Sequence, residues 1–163
     1  MELALRARDV DSRAVANYYV LYRLAERGYA ASQTAAGHAE LMACTPDGGR
    51  VSLLRVRSSG PNGRFDLSEV DRRPSGRNVS YVFVDFASGE ADPEVFILRP
   101  ALVLAMLAID TAWPRDAHAF RGMEEYRDAW HLLGLGRPLV AGSAGEASPP
   151  DVTKVTSPGA SGH

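Results

Sequence analysis

The sequence predicts an α/β domain, or in looser terms an α+β domain, with β-strands between flanking helices. An amphipathic helix opens the chain, and a second, apolar helix follows the last strand after Pro100. Between them, "VSYVFVDF" (79–86) is aromatic and β-branched, which is typical of a strand covered on both faces. At 163 residues, the chain is long enough to bury a core, and we expect one domain plus a tail.

The first predicted helix covers residues 13–27. Asp11 or Ser12 can serve as its N-cap, and Gly28 is a natural stop. Asn17 heads the apolar stripe of this helix. An amide that faces the core costs free energy unless it is hydrogen-bonded, so we interpret Asn17 as a satisfied core amide.

The strands follow from composition and from turn residues, of which Asp47, Gly48 and Gly49 are the clearest. Tyr126, Trp130 and Leu133 have the i, i+4, i+7 spacing of a helix near the end. The predicted elements after the first helix are a weak strand "GYAASQT" (28–34), hairpin strands "HAELMACTP" (38–46) and "RVSLLRVRSS" (50–59), a turn-rich connection with a short strand near 65–67, strands 79–86 and 94–100, and helices over 101–113 and 123–135.

Composition sets limits on function. The formal net charge is −2, so no strong global affinity for nucleic acid is implied. The centre is locally basic, because residues 50–77 hold seven arginines against three acids. The single cysteine, Cys44, excludes an internal disulfide and a cysteine-based zinc site.

Targeting signals and the tail complete the organisation. The opening "MELALRARDVDSR" is too charged for a signal-peptide core, and the longest apolar run, 101–109, is too short to span a bilayer. We therefore expect a cytoplasmic protein without a membrane partner. From residue 138 the chain is rich in Gly, Ala, Ser and Pro, which cannot offset its ordering entropy. We assign residues 1–137 to the domain and 138–163 to a flexible tail.

Arg55 and Arg57 are two residues apart in a predicted strand, so both project from one face. Three interpretations are open. They form a salt bridge with Glu40 across the hairpin, they clamp a phosphate or another anion, or they line a solvated edge. For the anion-binding interpretation, the further candidates are Arg72, Arg73 and Arg77 in a basic loop and His38 beside the Glu40 strand.

Several short strings, in order, resemble the PD-(D/E)XK nuclease superfamily, and in particular its small bacterial stand-alone members. The resemblance covers roughly residues 11–135 and implies a restriction-endonuclease-like fold with a mixed central β-sheet flanked by helices. The strings are "LAERGY" (24–29), "HAELMACTPDGGRVSLLRVRSS" (38–59), "SYVFVDF" (80–86), "EVFILRP" (94–100) and "EYRDAWHLLGL" (125–135).

Active proteins of this superfamily bind Mg²⁺ through acidic residues, and the resemblance assigns the corresponding positions here. Asn17 falls on the helix Glu, Glu40 on the strand Asp, Arg55 on the Glu or Gln, and Arg57 on the Lys. Arg55 offers no lone pair, and its repulsion of a divalent cation ~4 Å away is on the order of several kcal/mol. Arg57 cannot act as a general base. The pattern indicates a degenerate active site.

Three functional hypotheses follow. The leading one is a non-catalytic module that associates with nucleic acid or with another protein, in a defence, immunity or regulatory role, and homodimers are also expected. The second is a Mg²⁺-dependent nuclease acting on DNA or RNA, using Glu40 with substitutes such as Asp66 or Asp85. The third is a purely protein-binding partner. Mg²⁺, held by Glu40, is implied by the nuclease hypothesis alone; otherwise no metal or cofactor is expected.

Overall fold

A computed structural model describes residues 12–35, 39–60, 63–65, 67, 71, 76, 78–87, 92–109 and 123–136. The chain has two α-helices, five strands and two short 3₁₀ helices in these parts. They are α1 (Ser12–Glu26), β1 (Ala30–Gln33), β2 (Leu41–Cys44), β3 (Val51–Ser58), β4 (Val79–Asp85), β5 (Glu94–Leu98), α2 (Pro100–Ile109) and the 3₁₀ helices Glu124–Tyr126 and Trp130–Leu133.

The five strands form one sheet in the order β1-β2-β3-β4-β5. Three of the four pairings are antiparallel, and β3 and β4 pair in parallel. The predicted mixed central sheet with flanking helices, an α+β arrangement, is therefore confirmed. A parallel pair needs a crossover connection rather than a tight turn, and the chain between β3 and β4 supplies it.

Helix α1 ends at the predicted position because Gly28 adopts a left-handed conformation, with φ of +77°. The N–H of Gly28 donates to the carbonyl oxygen of Ala25 (2.9 Å), and that of Tyr29 donates to Leu24 (3.1 Å). These are the two hydrogen bonds of a Schellman motif, which satisfies carbonyls that the helix leaves open. The chain then enters β1 directly.

The core has one apolar layer on each face of the sheet. α1 packs on the first face, and α2 packs on the second. β4 is buried along its whole length, which confirms the prediction of a strand covered on both faces. The first layer contains Ala16, Val20, Leu24, Leu54, Val56, Val82, Val84, Val95 and Ile97. The second contains Phe65, Tyr81, Phe83, Phe96, Leu98, Val103 and Leu107.

The predicted helix over residues 123–135 is wrong, because the segment pairs with the edge of the sheet. Arg127 has extended backbone and forms an isolated bridge with Phe96 of β5. The N–H of Asp128 donates to the carbonyl oxygen of Val95 (2.8 Å), and Asp128 has φ of +47°. Backbone groups that pair with a strand cannot continue a helix, so one short 3₁₀ helix forms before this pairing and one after it.

The predicted stripe on that helix is divided between the two layers. Trp130 and Leu133 are buried in the layer under α1, whereas Tyr126 packs against the layer under α2. The segment thus crosses the edge of β5 and covers backbone groups that an edge strand would expose.

Three predicted segments, the end of the helix over 101–113, the strand near 65–67 and the tail, lie wholly or partly outside the described residues. Residues 110–122 and 138–163 lie outside the described residues, so α2 is described only to Ile109. Near 65–67 the structure has an isolated bridge between Ser59 and Phe65, and residue 66 is not described. Within the described parts of the chain, no helix is both long enough and apolar enough to cross a membrane.

Candidate functional site

The site is built on β3, where Arg55 and Arg57 share a face of the sheet. In the parallel register, Arg55 pairs with Tyr81 and Arg57 with Phe83, which belong to the layer under α2. The exposed fractions of the two arginines are 3% and 4%. The solvated-edge interpretation is therefore wrong, and their charges have to be balanced inside the protein.

Arg57 lies between two carboxylates. Its Nε donates to Asp71 Oδ2 (3.0 Å) and its Nη2 to Asp71 Oδ1 (2.6 Å). Its Nη1 donates to Glu40 Oε1 (2.7 Å) and to the carbonyl oxygen of Val56 (2.7 Å). The contact with Asp71 is bidentate, which is the strongest geometry for a guanidinium and a carboxylate. The predicted ion pair with Glu40 is confirmed for Arg57.

Glu40 reaches Arg57 because the β2–β3 hairpin places it one residue beyond the paired part of β2. Leu41 pairs with Leu54, and the Glu40 N–H donates to the carbonyl oxygen of Leu54 (2.9 Å). Glu40 Oε2 accepts a hydrogen bond from the N–H of Val56 (3.1 Å). One oxygen of the carboxylate thus continues the hydrogen bonding between β2 and β3 past the end of β2, and the other oxygen forms the ion pair with Arg57.

Arg55 takes a different partner from the predicted Glu40. Its Nη1 donates to the Tyr81 hydroxyl oxygen (2.8 Å), and that hydroxyl donates to Asp71 Oδ1 (2.9 Å). Its guanidinium carbon also lies 5.5 Å from the centroid of the Tyr81 ring, within cation–π range. The result is a continuous chain of contacts that runs from Arg55 through Tyr81 and Asp71 to Arg57 and Glu40.

The protonation states in this network follow from burial and from neighbouring charges. Burial raises the pKa of Tyr81 to about 12, and the negative charge of Asp71 acts in the same direction. Burial alone would lower the pKa of Arg57, but hydrogen bonds and charges from Asp71 and Glu40 more than offset this, so its pKa is raised. At neutral pH, Tyr81 is therefore a neutral phenol and Arg57 a cation.

Sequence reasoning missed two members of the network. Asp71 is fully buried, with 0% exposure, yet it lies in a polar segment that reads as a solvated connection. Tyr81 reads as one apolar residue among several in β4. The available signal was charge balance, since two arginines on the face of a buried strand require acids and Asp71 is one of three in the connection.

The Mg²⁺ site that the resemblance implies does not fit these residues. Both oxygens of Glu40 are engaged, one by Arg57 and one by the Val56 N–H. Asp71 gives both of its oxygens to Arg57. A guanidinium nitrogen 2.7 Å from Glu40 lies where a cation would have to bind. In the described parts of the chain, no group of three or more His, Cys, Asp or Glu side chains could hold a metal ion.

Asn17 does not join this network. It lies on α1, which packs against the face of the sheet opposite to the one that bears Arg55 and Arg57. Its Oδ1 atom is buried without a hydrogen-bond partner. The interpretation of Asn17 as a satisfied core amide is therefore wrong for that oxygen, which carries a desolvation cost.

The other candidates divide into described and undescribed residues. His38, Asp66, Arg72, Arg73 and Arg77 lie outside the described residues.

Asp85 is buried and structural. Its Oδ1 accepts hydrogen bonds from Ser59 Oγ (2.8 Å) and from the N–H of Ala87 (2.9 Å). The second bond closes an Asx-type turn at the end of β4.

Comparisons with known proteins give no relative for this chain. No family model, no curated protein and no solved structure matches it.

Proposed function

We propose that the chain is a non-catalytic relative of the PD-(D/E)XK nucleases that acts as an interaction module. The observation that carries this proposal is the position of Arg57 between Glu40 and Asp71. A metal-dependent nuclease needs carboxylate oxygens that are open to a divalent cation, so that a bound water becomes a nucleophile. Here the carboxylates are neutralised by a fixed side-chain cation instead.

The remaining groups of the network also do not supply hydrolytic chemistry. An arginine side chain does not act as a general base, so neither Arg55 nor Arg57 activates water. Tyr81, with its pKa of about 12, does not become a phenolate at neutral pH. The network instead connects β3 to Asp71 in the connection to β4, which is a structural task. We therefore propose that function lies in surface contacts rather than in catalysis.

A protein partner is favoured over nucleic acid. Arg55 and Arg57 are buried and engaged in internal contacts, so they do not support the phosphate-clamp hypothesis. Val15, Tyr18 and Tyr22 form an exposed stripe along α1, with exposed fractions of 38%, 66% and 58%. Tyrosine is enriched in protein interfaces. We favour a second copy of the chain, because one such stripe on each subunit suffices for a two-fold contact.

The test of the non-catalytic assignment combines cleavage and metal binding. Single- and double-stranded DNA and RNA are incubated with the protein in millimolar Mg²⁺ or Mn²⁺, and thermal unfolding is followed with and without each metal. We expect the substrates to stay intact. We also expect that neither metal changes the Tm of the native chain or the Tm of Glu40→Gln. Cleavage that Glu40→Gln abolishes, or a metal-dependent rise in Tm that it removes, would favour the nuclease hypothesis.

The test of partner class uses sedimentation velocity and gel-shift titration. We expect concentration-dependent dimers that the double variant Tyr18→Glu, Tyr22→Glu converts to monomers. Arg13→Gln, on another side of the same helix, is the matched control and should leave the dimer intact. A monomer at every concentration, together with nucleic-acid binding that weakens steeply with salt, would replace the protein-partner proposal with the nucleic-acid one.

A further inference from the structure

A cavity of about 460 Å³ lies at the end of the sheet where β3 and β4 begin and α2 starts. Its size is within the range of small-molecule sites. Its lining shares no residue with the buried arginine network, although Ser80 is the chain neighbour of Tyr81. Val51, which lines the cavity, is six residues before Arg57 along β3, a separation of about 20 Å at the rise of a strand.

The polar part of the lining is cationic and has spare donors. Arg99 is the one charged residue among the described residues that line the cavity, and it is exposed. It forms no ion pair within the described parts of the chain. Ser80 also lines the cavity and is 5% exposed, and its hydroxyl has no hydrogen-bond partner among the described residues. The oxygen of this hydroxyl is not among the buried side-chain atoms without a partner, so it is reached from the cavity and is available to donate to a ligand there.

The start of α2 adds a third group that favours negative charge. Pro100 and Ala101, the first two residues of this ten-residue helix, both line the cavity. Pro100 has no N–H, and the N–H groups of Leu102 and Val103 donate to the carbonyl oxygen of Arg99, so the donor that α2 offers here is the Ala101 N–H, aided by the helix dipole. Arg99 and the start of α2 are consecutive in the chain, and Ser80 comes from β4, so the polar groups of the cavity are supplied by two segments that are distant in sequence.

Most of the remaining wall is apolar, apart from Asn78 and two glycines. Val51, Val79, Pro100, Leu132 and Leu133 line it beside the polar groups. An inorganic anion would leave these side chains without contact, whereas a carboxylate on an apolar body matches both parts. We propose that this cavity binds a small organic carboxylate, with Arg99, Ser80 and the N-terminus of α2 holding the carboxylate and the apolar wall holding the body.

The experiment is a titration of the ¹⁵N-labelled chain with benzoate, and with benzamide as a neutral molecule of nearly the same shape. We expect saturable shifts of the amide signals of Ser80 and Ala101 with benzoate and markedly weaker binding of benzamide. Arg99→Gln should weaken benzoate binding by at least about tenfold, and Ser80→Ala by roughly threefold to tenfold. Arg99 is exposed, so its variant should keep the native spectrum elsewhere.

Arg13→Gln, an exposed arginine on α1, is the control for non-specific attraction and should leave benzoate affinity unchanged. Three results would each overturn the proposal. They are no saturable shift with benzoate, equal affinities for benzoate and benzamide, and unchanged benzoate affinity in Arg99→Gln. The proposal does not depend on the interaction-module proposal, since dimerisation and cleavage are read out separately.

Discussion

Replacing Arg57 with Met tests whether the buried network holds β3 to its connection with β4. The substitution keeps an unbranched chain but removes the cation that faces Asp71, which is fully buried, and Glu40, whose side chain is 23% exposed. Removing one partner of a buried ion pair costs roughly 3–5 kcal/mol, because an uncompensated charge remains. We expect a loss at the upper part of that range, since all three guanidinium nitrogens donate.

The chain offers a matched control in Arg127, which also pairs with two carboxylates, those of Glu94 and Glu124. Its side chain is 41% exposed, compared with 5% for Arg57. Exposed ion pairs contribute about 0–1 kcal/mol, so Arg127→Met should lose no more than about 1 kcal/mol. Equilibrium unfolding in urea, followed by tryptophan fluorescence, measures both losses. If the two losses are equal, burial does not set the strength of the Arg57 network.

The pH dependence of the Arg57→Met loss provides a second test. Without the guanidinium, the buried Asp71 carboxylate is more stable when protonated, so the folded variant binds a proton more tightly than the unfolded chain does. Stability from such a group is present at low pH and is lost as pH rises. The defect should therefore shrink between pH ~8 and pH ~5, and Asp71→Asn added to Arg57→Met should reduce it at pH ~8. A defect that is constant over this range would refute the electrostatic account.

Three further substitutions test individual contacts by the same urea unfolding. The pKa values of Tyr22 and Tyr126 are also raised, so they contribute to the loss of native stability at high pH. Tyr81→Phe should remove the loss between pH ~10 and pH ~12 that Tyr81 contributes, because the raised pKa of Tyr81, about 12, makes the folded state hold its proton while the unfolded state releases it. That loss is at most about 3 kcal/mol; an equal loss in the variant would show that other groups cause it. Glu40→Gln should cost about 1 kcal/mol, since the amide can still accept from the Val56 N–H and the site is partly solvated; a cost equal to that of Arg57→Met would contradict this. Asn17→Ala should stabilise the chain by roughly 0.5–1.5 kcal/mol, because it removes a buried oxygen without a partner and favours the helix; destabilisation would indicate that the amide is needed.

The sequence predicted the parts of the fold that local rules determine. Gly28 ends α1, the turn at 47–49 closes the hairpin, and the β-branched run of β4 is buried on both faces. The pairing of Glu40 with Arg57 was also predictable, because a turn fixes the register of a hairpin and hence which residues lie near each other.

What the sequence did not predict depends on contacts between distant segments. Asp128 bonds to β5 from more than thirty residues away, and this pairing replaces the helix that residues 123–135 favour locally. Asp71 is the main partner of Arg57 because it lies against β3, and no periodic pattern marks a residue in a turn-rich segment. In both cases tertiary context overrides local preference.

The buried charges have a reason in the topology of the sheet. Parallel pairing of β3 and β4 forces the chain to cross back over a distance that a hairpin turn cannot cover. The connection is polar, so it offers few side chains for the core. Phe65, 5.3 Å from Phe83 in an edge-to-face contact, is one apolar anchor, and Asp71 is an ionic one. Bidentate pairing restricts orientation more than an apolar contact does. Arg57 therefore fixes where Asp71 lies against β3, and this accounts for a buried arginine at that position.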